Sequence, residues 1–287
     1  MASLKETKGR IASVKSTLKI TSAMKMVASA KLHKAQNAIE NMTPYERKLR
    51  EMLQLLQRVA QFPESMSDQA SSKCVAIVAI ASNSSLCGGF NGNVVREVKA
   101  RVNALKSEGC EVDVISVGRK VAEAMKKAGY PSSEDWNDIV GHISYAGADS
   151  LAKMLQKAYA DGKYNRIELI YNHFVSTATQ KTVCETYLPA QPLSFEEGDS
   201  REWPEDLIIE PSAEEMLADL LPLVRSLRIY TVILDSVAAE HAARTISMQT
   251  STDNGEYILQ ELTLEYNKGR QQKITSEILD IVGGSMQ

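Results

Sequence analysis

A seven-residue beat runs through the N-terminal part of this chain and constrains the fold more than any other feature. Leu4, Ile11, Leu18, Leu32 and Ile39 fall on one series, which Lys25 interrupts. Offset by three run Thr7, Val14, Thr21, Ala28, Ala35 and Met42. Large residues alternating with small ones make a coiled-coil seam, and the small row lets another backbone approach closely. The partner helix is expected at the far end of the same chain. No proline precedes Pro44 and none follows Pro222. There, Val232, Ala239 and Ile246 lie seven apart, as do Tyr257, Leu264, Gln271 and Ile278, with polar Asp253, Gln260, Asn267 and Gln271 breaking the row. Polar seam residues set register at a cost in stability. Two long helices from opposite ends suggest a shaft.

Between them the pattern changes. Lys73–Ala81 is a continuous apolar run of strand length, which reads as a strand buried on both faces. Glu111–Val117, Arg166–Asn172 and Gln180–Leu188 read as further strands, and Ile139–Ile143 as a short one. Helices are expected over Asn91–Ser107, Arg119–Ala128 and Ala148–Ala160. Strands alternating with helices imply crossover units and a mostly parallel, Rossmann-like sheet, with the last two strands close enough to differ in direction. The fold class is therefore α/β, a long antiparallel coiled coil of terminal helices carrying a globular domain. The expected divisions are an N-terminal coiled-coil helix over 1–60, an α/β domain over 73–190, an acidic surface segment over 191–211 and a C-terminal coiled-coil helix over 212–287.

Charge is unevenly placed. The net value is −3, yet the first 34 residues hold eight lysines or arginines against Glu6 alone. A basic helix suits an anionic partner, whether nucleic acid, a membrane surface or an acidic protein. Residues 1–44 contain no Phe, Trp or Tyr, so single-strand binding lacks its stacking platforms. The N-terminus has no apolar signal region, and no apolar run is long enough to span a bilayer. Cys74, Cys87, Cys110 and Cys184 form no C-x-x-C pair and have no histidine at zinc spacing, so reduced structural thiols are expected. The loop Ser82–Asn91 sits between a strand and a helix, where α/β proteins cradle phosphates, but it carries neither G-x-G-x-x-G nor a Walker lysine. Gly88 and Gly89 read as a tight turn. No metal site, cofactor site or catalytic constellation is expected.

Three stretches carry a resemblance. Ile11–Leu32, reading IASVKSTLKITSAMKMVASAKL, is similar to the N-terminal helix of the ATP synthase gamma subunit family, the central rotor stalk. Tyr266–Gly284 resembles that family's Y-N-K-x-R-Q-x-x-I-T-x-E signature, and Leu86–Asn91 its G-L-C-G-G-L-N loop. The loop departs at Ser82-Asn83-Ser84-Ser85, where the family has [ST]-D-[RK]-G, and Gly255 stands where the family's A-T-x-N-A ends in alanine. The resemblance implies a non-catalytic rotor shaft for a proton-translocating ATP synthase of bacterial type. It implies alpha, beta and epsilon subunits and the membrane c-ring as partners, no nucleic acid, no direct membrane insertion, and a peripheral place on the cytoplasmic face of the inner membrane. By the same resemblance, Met24 and Lys25 lie near acidic lever loops of beta, and Arg270, Gln271 and Thr275 match upper contacts with a beta loop. Ile278, Leu279, Ile281 and Val282 form an apolar bearing tip. The remaining alternative is a basic helical adaptor or nucleic-acid-binding protein.

Overall fold

The apolar run at Cys74–Ile80 does become a strand buried on both faces, and the central layers are built around it. A computed structural model describes residues 4–59, 73–189 and 209–284. In chain order these form α1 (Leu4–Val59), β1 (Cys74–Ile80), α2 (Phe90–Ser107), β2 (Glu111–Val117), α3 (Arg119–Lys127), α4 (Asn137–Gly141), α5 (Tyr145–Ala160), β3 (Arg166–Phe174), β4 (Gln180–Leu188) and α6 (Ala213–Gly284). Residues 191–208 of the expected acidic segment lie outside the described residues. Two compact units result: Lys31–Ala243, and Met1–Ala30 with Arg244–Gln287.

In the larger unit the sheet order is β2-β1-β3-β4. β1 pairs in parallel with β2 (Cys74 opposite Glu111) and with β3 (Val75 opposite Arg166), while β3 and β4 are antiparallel, with an irregularity at Ile167/Glu168. Alternate β1 residues serve opposite layers, as the two-residue strand period requires. Val75, Ile77 and Ala79 pack under α2 and α3, against Val94, Val98, Val102, Leu105, Val121 and Met125. Ala76, Val78 and Ile80 pack under α5 and α6, against Leu151, Leu155, Ile229, Val232 and Ile233. Val232 is thus part of the sheet core. Ser144 caps α5, its hydroxyl accepting the Gly147 N–H at 3.2 Å.

The expected strand at Ile139–Ile143 is instead the short helix α4. Ile139 and Val140 are adjacent and both buried, which a one-sided strand forbids and a helical turn permits. Around Pro44 the helix α1 is unbroken. In this unit α1 meets α6 through Leu32 and Ala35 against Ala238 and Ala242, with Ile39 and Phe174 at the margin. Three alanines at one contact allow the close approach that the small row implies.

Candidate functional site

Three features of the chain are candidates for function: the helix pair of the smaller unit, the exposed stretch of α6 beyond it, and the strand-end loop of the larger unit.

In the smaller unit the α1 seam falls where the heptad places it, with Thr7, Thr21 and Ala28 buried. Leu4 lies over Gly269, Leu18 over Gly255, Thr21 against Thr252 and Lys25 against Gln249. As one number rises the other falls, so the pairing is antiparallel. The α6 seam differs from the expected row. From Thr252 onward the covered positions are Thr252, Gly255, Leu259, Leu262, Tyr266 and Gly269, spaced alternately three and four apart, whereas Tyr257, Leu264 and Ile278 are exposed. The reason is steric. A Cβ on Gly255 would stand 2.7 Å from Leu18 Cδ2, and one on Gly269 would stand 3.2 Å from Leu4 Cδ2. Each glycine is a notch that receives a leucine, and a hydropathy count does not register a notch.

A polar layer crosses this seam. The Thr21 and Thr252 hydroxyls are 2.9 Å apart. Lys25 Nζ donates to Gln249 Oε1 at 2.7 Å, and Gln249 Nε2 donates to Asp253 Oδ1 at 2.6 Å. Lys25 is half-buried and engaged within the pair. Met24 beside it is also half-buried.

Past Gly269 every described side chain of α6 from Arg270 to Val282 is exposed. Among the described residues none pairs with Arg270 or Gln271. Gln271, Thr275, Ile278 and Val282 share one helical stripe. Ile278, Leu279, Ile281 and Val282 are between 47% and 71% exposed. Ile274, likewise exposed and one turn before Ile278, extends the apolar row. The sequence reading omitted it, although the i, i+4 spacing marks it.

The strand-end loop lies at the point where the chain leaves β1 for one side and returns for β3 on the other, the usual ligand crevice of a doubly wound sheet. Here the crevice is filled by protein. Cys87 and Phe90 pack against Ala239 and Ala243 of α6, with Phe174 alongside. Asn172 Nδ2 donates to the Phe90 carbonyl at 2.9 Å. The loop's polar groups satisfy one another. The Ser82 hydroxyl donates to the Ser84 carbonyl at 2.6 Å, and Asn91 Oδ1 accepts the Ser82 N–H at 3.0 Å. Asn83 Oδ1 accepts the Arg119 N–H at 2.9 Å, Asn83 Nδ2 donates to the Asn137 carbonyl at 2.8 Å, and Arg119 Nη2 donates to the Asn83 carbonyl at 2.9 Å. An aspartate at position 83 would lose the second of these bonds, so the divergent loop is consistent with its own surroundings. Gly118 (φ 107°) is required beneath it, because a Cβ there would stand 2.1 Å from the Ala81 carbonyl oxygen. Cys87 is buried, as a structural thiol would be.

Ion pairs fasten this unit. Arg101 holds Glu168 by two bonds of 2.6 and 2.7 Å, and Arg166 adds its charge as an ion pair, with Nε 3.1 Å from Oε1. Burial acts to raise the Glu168 pKa, but the Arg101 bonds, with the charges of Arg101 and Arg166, outweigh it and hold the carboxyl below its usual range. Arg228 of α6 grips Glu185 of β4 at 2.6 Å, and Asp235 of α6 accepts the Phe174 N–H at 3.0 Å and meets His173 Nδ1 at 2.6 Å. Together these bonds tie α6 to the sheet. Among the described residues no group of three or more His, Cys, Asp or Glu side chains is placed to hold a metal ion, and no helix is long and apolar enough to cross a membrane.

Comparison with known proteins covers the whole chain. A family model described as ATP synthase matches residues 3–286. The ATP synthase gamma chains of Phocaeicola vulgatus and Bacteroides thetaiotaomicron are each 50% identical, covering 100% of this chain and of their own length. That of Flavobacterium johnsoniae is 43% identical over 99% of this chain and 98% of its own. Among solved structures, a chain from the rotor of the Euglena gracilis mitochondrial ATP synthase, 21% identical, has the same fold, with a TM-score of 0.65 over 94% of this chain and 98% of that one. A second chain from that enzyme scores 0.69 over 99% and 93%.

Proposed function

Because the chain belongs to the ATP synthase gamma-chain family, we propose that it is the central rotor shaft of a proton-translocating ATP synthase, with the helices Leu4–Val59 and Ala213–Gly284 as the shaft. It turns inside a ring of alternating alpha and beta subunits, and its foot rests with epsilon on the membrane c-ring. Rotation of that ring turns the shaft, whose asymmetry changes each beta site in sequence. The chain itself is non-catalytic, and it lies peripherally on the cytoplasmic face of the bacterial inner membrane.

The observation that carries this reading is the stretch Arg270–Val282. A helix that leaves its partner and presents polar donors followed by an apolar end fits a guided tip better than a folded core. On this reading Arg270, Gln271 and Thr275 donate to a beta loop, where a guanidinium can hold a carboxylate by two parallel bonds. Ile278, Leu279, Ile281 and Val282 turn in an apolar collar. Met24 and Lys25 face acidic lever loops. Lys25 brings a charge already braced by Gln249, and exposed ion pairs worth about 0–1 kcal/mol each suit contacts broken on every turn. The filled crevice behind β1 supports leaving nucleotide chemistry to other subunits. The full-length gamma-chain relatives give the nucleic-acid alternative no support.

The test is Arg270→Ala with Gln271→Ala, reconstituted with the other subunits. Assembly is expected to survive. Steady-state ATP hydrolysis and ATP synthesis are expected to fall on the order of tenfold, the loss of charge-assisted bonds made and broken on each rotation. A double variant that assembles and turns over like wild type would show that these residues are only surface.

A further inference from the structure

Lys25 interrupts the large row of the α1 seam, and Asp253 stands among the polar residues of α6. The structure joins them through Gln249. Lys25 Nζ donates to Gln249 Oε1 at 2.7 Å, and Gln249 Nε2 donates to Asp253 Oδ1 at 2.6 Å. The amide can lie only one way round. Reversed, it would set its N–H bonds against the ammonium and its oxygen against the carboxylate, and both contacts repel. Asp253, one turn beyond Gln249 on α6, therefore decides which end of the amide Lys25 meets, and bonds in such a chain polarise one another. The base of this relay is fixed as well. One turn before Lys25, the Thr21 hydroxyl is 2.9 Å from that of Thr252, and the same two hydroxyls lie 3.1 and 2.9 Å from the Leu18 and Met248 carbonyls of their own helices.

A lysine ammonium rides on a flexible four-carbon stem, so an unheld one sweeps a wide arc. Among the described residues Lys25 forms no ion pair, and its charge is not cancelled where it is held. Gln249 engages one N–H of the ammonium, and the others remain for an acceptor outside the chain. A neutral amide thus does what a carboxylate in its place would not. It fixes the position of the charge without neutralising it. Contact with an already ordered side chain is favoured over contact with a free one by about two- to tenfold, because the ordering cost has been met beforehand.

We propose that Gln249 and Asp253 are positioning residues of the rotor, which hold the Lys25 ammonium at one place on the shaft for its contact with an acidic loop of the surrounding ring. This rests on the rotor–stator reading of Lys25, and the experiment separates the two. The single variants Lys25→Met, Gln249→Met and Asp253→Ala, and the double variant Lys25→Met with Gln249→Met, are reconstituted with the other subunits, and steady-state ATP hydrolysis is measured. Methionine is unbranched and helix-favouring like the residues it replaces, so the helix pair survives. Lys25→Met and Gln249→Met are each expected to slow turnover about two- to tenfold, and Asp253→Ala to slow it by less. In the Lys25→Met background Gln249→Met is expected to change nothing further, because a residue that acts through Lys25 then has nothing left to position. A merely structural role would persist in that background as a second, additive loss, and that result overturns the proposal. Gln249→Met at the wild-type rate beside a slow Lys25→Met also overturns it, while the reading of Lys25 stands. Asp253→Ala at the wild-type rate overturns the part given to Asp253. Lys25→Met at the wild-type rate refutes the reading of Lys25 and the proposal with it.

Discussion

Gly255→Ala offers a sharp test of the notch geometry, because two effects of known sign oppose each other there. Alanine in place of a helical glycine contributes about 1 kcal/mol through helix propensity. The new methyl, however, would stand 2.7 Å from Leu18 Cδ2 and 3.3 Å from Leu18 Cγ. Carbon atoms pack at about 3.5–4.0 Å, so the leucine must retreat by about 1 Å. Overpacking of that kind costs about 1–3 kcal/mol, which leaves a net loss of about 0–2 kcal/mol. Gly269→Ala is the internal control. Its methyl would meet Leu4 Cδ2 at 3.2 Å, which needs a shift of only a few tenths of an ångström, so the propensity gain survives. In a Leu18→Ala background the obstacle is gone, and Gly255→Ala is expected to stabilise by about 1 kcal/mol, a coupling of about 1–3 kcal/mol between the two positions. Amide hydrogen exchange read by mass spectrometry reports the local opening free energy of peptides around Leu18 and Gly255. Equal protection gained by Gly255→Ala with and without Leu18 would refute the knob-in-notch account.

Other outcomes follow from the same structure. Ala28→Trp forces a large side chain into a buried seam position and is expected to destabilise the helix pair by about 1–3 kcal/mol, measured by the same exchange experiment. Glu168 has a lowered pKa when folded, so its contribution to stability is complete above the ordinary carboxylate value of 4.5 and is lost as pH falls through the folded value. Glu168→Gln should flatten that acid limb in urea titrations and cost about 3–5 kcal/mol at neutral pH, since Arg101 loses its partner. Cys184 is exposed on β4, but partial burial of its sulfur and then the Glu168 charge, with Sγ 3.7 Å from Oε2, push its pKa up to about 11. Its iodoacetamide alkylation at pH 7.5 should run roughly a hundredfold slower than that of an ordinary thiol and climb about tenfold per pH unit above pH 8.5, which mass spectrometry of the Cys184 peptide measures.

The sequence was legible where apolar periodicity carried the information. The α1 seam, the two-faced burial of β1 and the boundaries of β2 and β4 all follow from repeat length and run length. On α6 the same method failed, because it looked for large residues. Tyr257 and Leu264 are large and lie outside, while Gly255 and Gly269 lie within the seam. The readable signal was relational: Leu4 and Leu18 are spaced as far apart as the two glycines, so bulk on one helix answers its absence on the other. At Ile139–Ile143 the segment was too short for a period, and two adjacent buried residues were the sign of a turn. The stretch after Gly269 was visible only through resemblance, since nothing in its composition announces an outward-facing end.

The joining of the chain's two ends has a consequence for its synthesis. Thr21 meets Thr252 across 231 residues of sequence. At about 5–20 residues per second, a ribosome needs roughly 12–46 s to deliver the second partner after the first has been made. Throughout that interval the N-terminal helix waits with its seam uncovered. A seam of continuous leucine would be an adhesive strip for other nascent chains. One that alternates leucine or isoleucine with threonine, alanine and a single lysine offers much less to stick to. The small residues that later admit a neighbouring backbone therefore also keep the early chain soluble while it waits for its own C-terminus.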